Sequence, residues 1–109
     1  MELTINNKKI ELKFGVRFLR ELDKIASVEN SGIKFGMGMS RSILGLRAYD
    51  AAVLSDVLFA ASYGKVAQTT IDNYLDDCED LEKIFDEVLK EINESNAANL
   101  AVKKMKMKA

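Results

Sequence analysis

The first residues of the chain alternate between apolar and polar side chains. Leu3 and Ile5 alternate with polar neighbours, and Ile10, Leu12 and Phe14 then alternate with charged ones, which predicts two strands. The two asparagines between them tolerate the left-handed backbone of a tight turn. The pattern therefore predicts a short antiparallel hairpin, and because such a hairpin is marginal alone, it must lay its apolar face on another element.

The hydrophobic period changes at Gly15. After it the apolar residues recur at helical spacing, as Phe18, Leu19, Leu22, Ile25 and Ala26. This spacing predicts a helix over about Val16 to Ala26. We expect the hairpin to fold onto this helix, with Phe14 and Phe18 in one cluster.

Residues 27–42 hold three glycines and several small polar residues, which predicts a loop, and "SILGLRAY" after it predicts a short helical turn. The loop contains Phe35, Met37 and Met39. Methionine suits adaptable apolar binding surfaces, but it also fills gaps in cores. Two interpretations therefore stay open for these side chains: contact with a partner, or packing into the protein's own core.

A second helix is predicted from about Tyr49 to Tyr63, with Asp50 near its start and Gly64 as a left-handed cap. Its side chains are apolar on most sides, and they include Val53, Val57 and Phe59. A helix of this kind is either central to the core or part of a subunit interface.

Two more helical segments follow. "QTTIDN" predicts a helix start, and the next stripe is the clearest helical pattern in the chain, formed by Leu81, Ile84, Phe85, Val88, Leu89 and Ile92. The pattern fades after Asn93. We therefore predict a mainly α fold, an N-terminal β-hairpin packed on a small bundle of about three to five helices. Residues 1–95 form its single domain, and residues 96–109 form a flexible, lysine-rich tail.

The composition excludes several kinds of chemistry. The chain has 109 residues, a net charge of −1, no histidine and one cysteine. Without histidine, Ser–His and Cys–His catalytic arrangements and His-ligated zinc sites are impossible, and Cys78 alone cannot form an internal disulfide. The glycines at 32, 36 and 38 lack the Gly-Lys-Ser/Thr ending of a phosphate-binding loop. We predict no catalytic residue, no cofactor and no metal, and hence a protein that is not an enzyme.

Two charged segments suggest partners weakly. The acidic run from Asp76 to Glu82 lacks the spacing and internal glycine of a calcium loop. The tail carries lysines at 103, 104, 106 and 108, but it has no aromatic platform, so nucleic-acid binding is not favoured. No apolar run approaches the roughly 20 residues of a membrane helix, and the first residues do not read as a secretion signal. A cytoplasmic location without membrane contact is expected.

The opening "LTINNKKIELKFGVRFLRELDK" resembles the start of the tail assembly chaperones of long-tailed phages and prophages of Gram-positive bacteria. Members of that family open with a short hairpin, an aromatic-Gly step and a helix. The later "IDNYLDDCEDLEKIFDEVLKEI" is similar to the acidic C-terminal helical segment of the family. The resemblance covers most of the chain in order and spacing, and it is least clear over residues 27–47.

The resemblance implies a chaperone that binds the tape measure protein in the host cytoplasm and keeps it soluble while the tail tube protein polymerises around it. It also implies absence from the mature virion, self-association into a homo-oligomer, and a longer frameshifted form of the same chain. The residues named above as contact candidates are Phe35, Met37, Met39, Val53, Val57 and Phe59. Two alternatives stay open: a structural tail or head–tail connector component, and a small nucleic-acid-binding regulator.

Overall fold

The computed structural model describes residues 1–26 and 37–107. These residues form two strands and six helices: β1 (Glu2–Ile5), β2 (Lys8–Glu11), α1 (Val16–Ala26), α2 (Met37–Arg47), α3 (Ala51–Ala61), α4 (Gln68–Asp76), α5 (Leu81–Glu94) and α6 (Asn96–Met107). The prediction of a mainly α fold with an N-terminal β-hairpin is confirmed. The described ranges contain one helix more than the upper end of the predicted number.

The hairpin pairs β1 with β2 in antiparallel register, with Leu3 opposite Ile10. Its turn places Asn6 at φ 52° and Asn7 at φ 65°, the left-handed backbone that favours asparagine there. Ile5 is buried, and Leu3 and Ile10 on the same face are half-buried. One face of the hairpin therefore lies on the helical body and the other faces solvent.

The step from strand to helix is held by two aromatic rings. Phe14 and Phe18 are both buried, and their ring centroids lie 5.0 Å apart in an edge-to-face arrangement. The preceding backbone is tied to a distant helix, because the Lys13 N–H donates to the Ala61 carbonyl over 3.1 Å. The predicted Phe14–Phe18 cluster is confirmed.

Helix α3 is the central helix of the fold. It packs against α1, α2 and α4, and the buried members of its sequence are Leu54, Ser55, Val57, Leu58, Ala60 and Ala61. The Asp50 carboxylate caps its start by accepting from the Ala52 and Val53 N–H groups. Gly64 follows its end at φ 72°. Asp50 and Gly64 lie at the two ends of the helix as predicted, the helix runs from Ala51 to Ala61 rather than from about Tyr49 to Tyr63, and its buried side chains belong to the core.

Helix α2 corrects the loop predicted over residues 27–42, because residues 37–42 are helical. The two glycines of α2 lower its helix propensity, but each lies where another helix comes very close. A Cβ at Gly38 would lie 2.8 Å from the Leu22 carbonyl carbon, and one at Gly45 would lie 2.6 Å from Val53 Cγ2. Tight packing against α1 and α3 therefore explains glycines that the sequence pattern attributes to a loop.

Helix α6 lies in the segment for which the sequence predicted a flexible tail. Ala98 and Val102 are buried, and the helix packs against α1, α2 and α5. The small alanine side chains carry little hydrophobic signal, which is why the pattern fades after Asn93 although a helix follows. Where the domain ends remains a prediction.

Helices α3 and α4 are joined by hydrogen bonds between side chains. The buried Ser55 hydroxyl donates to the Asp72 carboxylate, and the Gln68 amide donates to Asp56. The Ser55 hydroxyl, which is buried between α3 and α4, therefore has the hydrogen-bond partner that a buried polar group requires.

Candidate protein-contact surfaces

The six residues predicted to contact a partner fall in different environments. Phe35 lies outside the described residues, and Met37 begins α2. Met39 and Val57 are buried in the core, so neither presents surface to a partner in this conformation. Val53 and Phe59 are half-buried. A role for any of them in binding remains a prediction.

The two half-buried candidates both pack within the chain. Val53 faces Gly45 across the contact between α2 and α3. Phe59 lies beside Gly64, and its carbonyl accepts from the Ser62 hydroxyl over 2.8 Å. Both side chains therefore help to pack the chain's own helices, and a partner would contact only the part of each that remains exposed.

The exposed large apolar side chains of the described residues are a different set: Val16, Leu44, Tyr49 and Leu100. Leu44 on α2 is 60% exposed, and Leu100 on α6 is 67% exposed. The sequence analysis did not select either residue. With α2 assigned as a helix, Met39, Ile43 and Leu46 form its inner stripe, and Leu44 lies off that stripe. The exposure of Leu44 follows only once residues 37–47 are known to be helical.

Tyr49 joins the end of α2 to α5. Its ring packs edge-to-face on Phe85 at 5.2 Å between centroids, and its hydroxyl lies 3.4 Å from Asp86 Oδ1. The Asp86 carboxylate, together with desolvation and Glu82, raises the pKa of the Tyr49 hydroxyl above its ordinary value of 10.0. The hydroxyl is therefore protonated at neutral pH and available as a hydrogen-bond donor to Asp86.

Charge is distributed very unevenly along the chain. Residues 72–94, which include most of α4 and all of α5, contain ten acidic residues and two lysines. Residues 1–24 carry six basic and four acidic side chains, and the basic ones, among them Lys13, Arg17 and Arg20, are exposed. The Arg17 guanidinium also lies 4.2 Å from the centre of the Tyr63 ring. The net charge of −1 thus conceals an acidic region and a basic one.

The described residues offer neither a metal site nor a membrane-spanning helix. In the described part of the chain, no group of three or more Asp, Glu or Cys side chains is arranged to hold a metal ion. Within residues 1–26 and 37–107, no helix is long and apolar enough to cross a membrane. The surfaces that remain are the exposed apolar side chains and the charged regions, and both are suited to protein contacts.

Comparison with known protein families gives a match to one family model. The family model described as "Phage tail assembly chaperone protein, TAC" matches residues 2–106. That range includes both strands and nearly all of α6, so the match extends over nearly the whole described fold. No curated protein and no solved structure matches the chain.

Proposed function

This chain belongs to the phage tail assembly chaperone family, and we propose that its client is the tape measure protein of the same phage. The chain binds this long protein and keeps it soluble until the tail tube protein polymerises around it. The family match over residues 2–106 is the observation that carries the proposal. The hairpin-to-helix opening, which resembles the same family, lies within the matched range.

The surface of the chain is compatible with this role. A chaperone for an extended helical client needs repeated apolar contacts rather than a reactive group. Val16, Leu44 and Leu100 are exposed apolar residues on three different helices. Their dispersal favours several weak contacts with a long partner over a single tight pocket.

The proposal includes self-association, both with identical copies and with a longer frameshifted form of the chain. A small subunit multiplies weak client contacts by assembling, because each further contact becomes intramolecular. In the proposed assembly, the acidic region over residues 72–94 of one copy lies against the exposed lysine and arginine side chains of residues 8–24 of the next, since opposite charges favour that contact. The site of action is the host cytoplasm, and the chain leaves before the virion is complete.

Co-expression with the tape measure protein tests the client directly. We expect that protein to be insoluble when expressed alone and to move into the soluble fraction, bound to this chain, when both are expressed. Co-expression with an unrelated helical protein of similar acidity is the control for a general effect of charge. A tape measure protein that stays insoluble and unbound contradicts the proposal.

Mass spectrometry of purified phage particles tests the departure of the chaperone. We expect the chain to be absent from particles and present in lysates of infected cells. Recovery in particles at a fixed ratio to tail tube subunits would favour the alternative of a structural tail component.

Replacement of Leu44 tests whether the exposed side of α2 takes part in self-association. We expect Leu44→Asp to lower the weight-average mass in sedimentation velocity and to leave the melting temperature unchanged, because the side chain is exposed. Leu100→Asp is the matched control, with the same change at a similarly exposed leucine on α6. An equal loss of mass in both variants would show that the effect is not specific to α2.

A further inference from the structure

Helix α6 is held in place by a row of small side chains. The buried members of this row are Ala98 and Val102, and Ala97 and Ala101 are half-buried beside them. The neighbouring α5 buries Ile84, Phe85, Val88 and Ile92. Among residues 96–103 of α6, the buried side chains are smaller than those that α5 buries, so each contributes less hydrophobic stabilisation.

The surface beneath α6 is strongly apolar by contrast. Helix α6 packs against α1, α2 and α5, and the core residues of those helices include Leu22, Ile43 and Ile92. Ala98 and Val102 belong to the same continuous core cluster as these residues. Removal of α6 would leave an apolar groove between three helices, a kind of surface that receives the apolar face of another helix.

The connection between α5 and α6 is a single residue with extended backbone. Ser95 ends α5 at φ −81° and ψ 126°. Its hydroxyl donates to the Phe14 carbonyl, and its Oγ accepts from the Ala98 N–H over 3.3 Å. The polar contacts that fix the first turn of α6 are thus concentrated at Ser95.

We propose that α6 occupies, in the free chain, the groove that binds a helix of the client, and that it turns outward about Ser95 when the client helix enters. This rests on the proposed chaperone function. The client helix has the chemistry of α6 itself: small apolar residues four positions apart, with basic residues beside them, because α5 at the edge of the groove is acidic. The free chaperone thereby covers its own apolar groove with a helix that is easily displaced.

A peptide with the sequence of residues 95–107 tests the displacement without the client. We expect the labelled peptide to bind the full-length Val102→Asp chain about tenfold more tightly than the wild-type chain, because the tethered α6 no longer competes for the groove. Fluorescence anisotropy measures both affinities. Circular dichroism and melting establish that the variant keeps its other helices.

Two variant peptides show which face binds. A peptide carrying Val102→Asp should lose binding, since this residue is buried, whereas one carrying Leu100→Asp should bind unchanged, since Leu100 is 67% exposed. Equal affinity of the peptide for the wild-type and Val102→Asp chains, or equal loss with both variant peptides, would overturn the displacement.

The wild-type chain and the tape measure protein complete the test. We expect hydrogen exchange at the α6 amides to accelerate in the complex while α1 and α5 stay protected, and we expect the tape measure protein to compete with the peptide for the Val102→Asp chain. Binding of the client with unchanged protection of α6 rejects this inference and leaves the proposed function intact. Absence of any client binding rejects the proposed function, and the peptide measurement then still reports on the displacement of α6.

Discussion

Phe18→Ala is expected to lower the free energy of unfolding by about 3–5 kcal/mol, the cost of emptying a large buried aromatic site. Phe18 is 0% exposed, and it supports Phe14 through an edge-to-face contact. The substitution therefore leaves a cavity and also loosens the end of the hairpin. Equilibrium unfolding in urea, followed by far-UV circular dichroism, measures the loss.

Val16→Ala is the control for Phe18→Ala. Val16 lies on the same helix and is 63% exposed, so its truncation is expected to change the free energy of unfolding by no more than about 0.5 kcal/mol. A loss below about 1 kcal/mol for Phe18→Ala would contradict the observed packing, because removing a fully buried aromatic ring lowers the free energy of unfolding by more than that.

Gly38→Ala is expected to destabilise the chain by about 3 kcal/mol, at the upper end of the usual range for overpacking. The new methyl group would lie 2.8 Å from the Leu22 carbonyl carbon and 2.9 Å from the Asp23 backbone nitrogen. Backbone atoms of a packed helix cannot turn aside as a side chain does. The shift of α2 also threatens the hydrogen bond that the Gly38 N–H donates to Asp23 over 2.9 Å. Thermal and urea unfolding both report the change.

Two other glycines provide contrasts. Gly15→Ala should be neutral or slightly stabilising, because no atom lies within 4 Å of the new methyl group. Gly45→Ala clashes with the side chain of Val53, so a second change, Val53→Ala, should restore part of the lost stability. No truncation of a neighbouring side chain should rescue Gly38→Ala in the same way. A neutral Gly38→Ala would show that α1 and α2 are farther apart than described.

The parts of the fold that were predictable from sequence are those where one pattern dominates. The alternation before Gly15 places the hairpin, although β2 ends at Glu11 rather than at Phe14, and the helical spacing after Gly15 places α1, which begins and ends where predicted. Asp50 and the Asn6–Asn7 turn were predictable because their side chains and backbone preferences act locally.

The parts that were not predictable depend on distant residues. Gly38 and Gly45 resemble loop residues until Leu22 and Val53 are seen to approach them. Ala98 is too small to produce a hydrophobic period, although it is fully buried under its neighbours. At such positions a small side-chain volume is what allows the neighbouring helix to come close, and a hydrophobicity scale does not measure side-chain volume.

The candidate surface was less predictable than the fold. Methionine and phenylalanine at 35, 37 and 39 were selected for their chemistry, yet Met39 belongs to the core. Leu44 is exposed, although Ile43 and Leu46 around it are equally apolar and buried. Exposure depends on which helices meet, and composition alone does not distinguish a leucine that faces a neighbour from one that faces water.

The hydrogen bond from the Ser95 hydroxyl to the Phe14 carbonyl joins residues 81 positions apart. A ribosome that adds about 5–20 residues per second needs roughly 4–16 s to synthesise that interval. During this time the nascent hairpin has neither Ser95 nor, at first, the Ala61 carbonyl that accepts from Lys13. The N-terminal strands are therefore the first part of the chain to be made and among the last to be secured, because native closure of the fold waits until Ser95 has been synthesised.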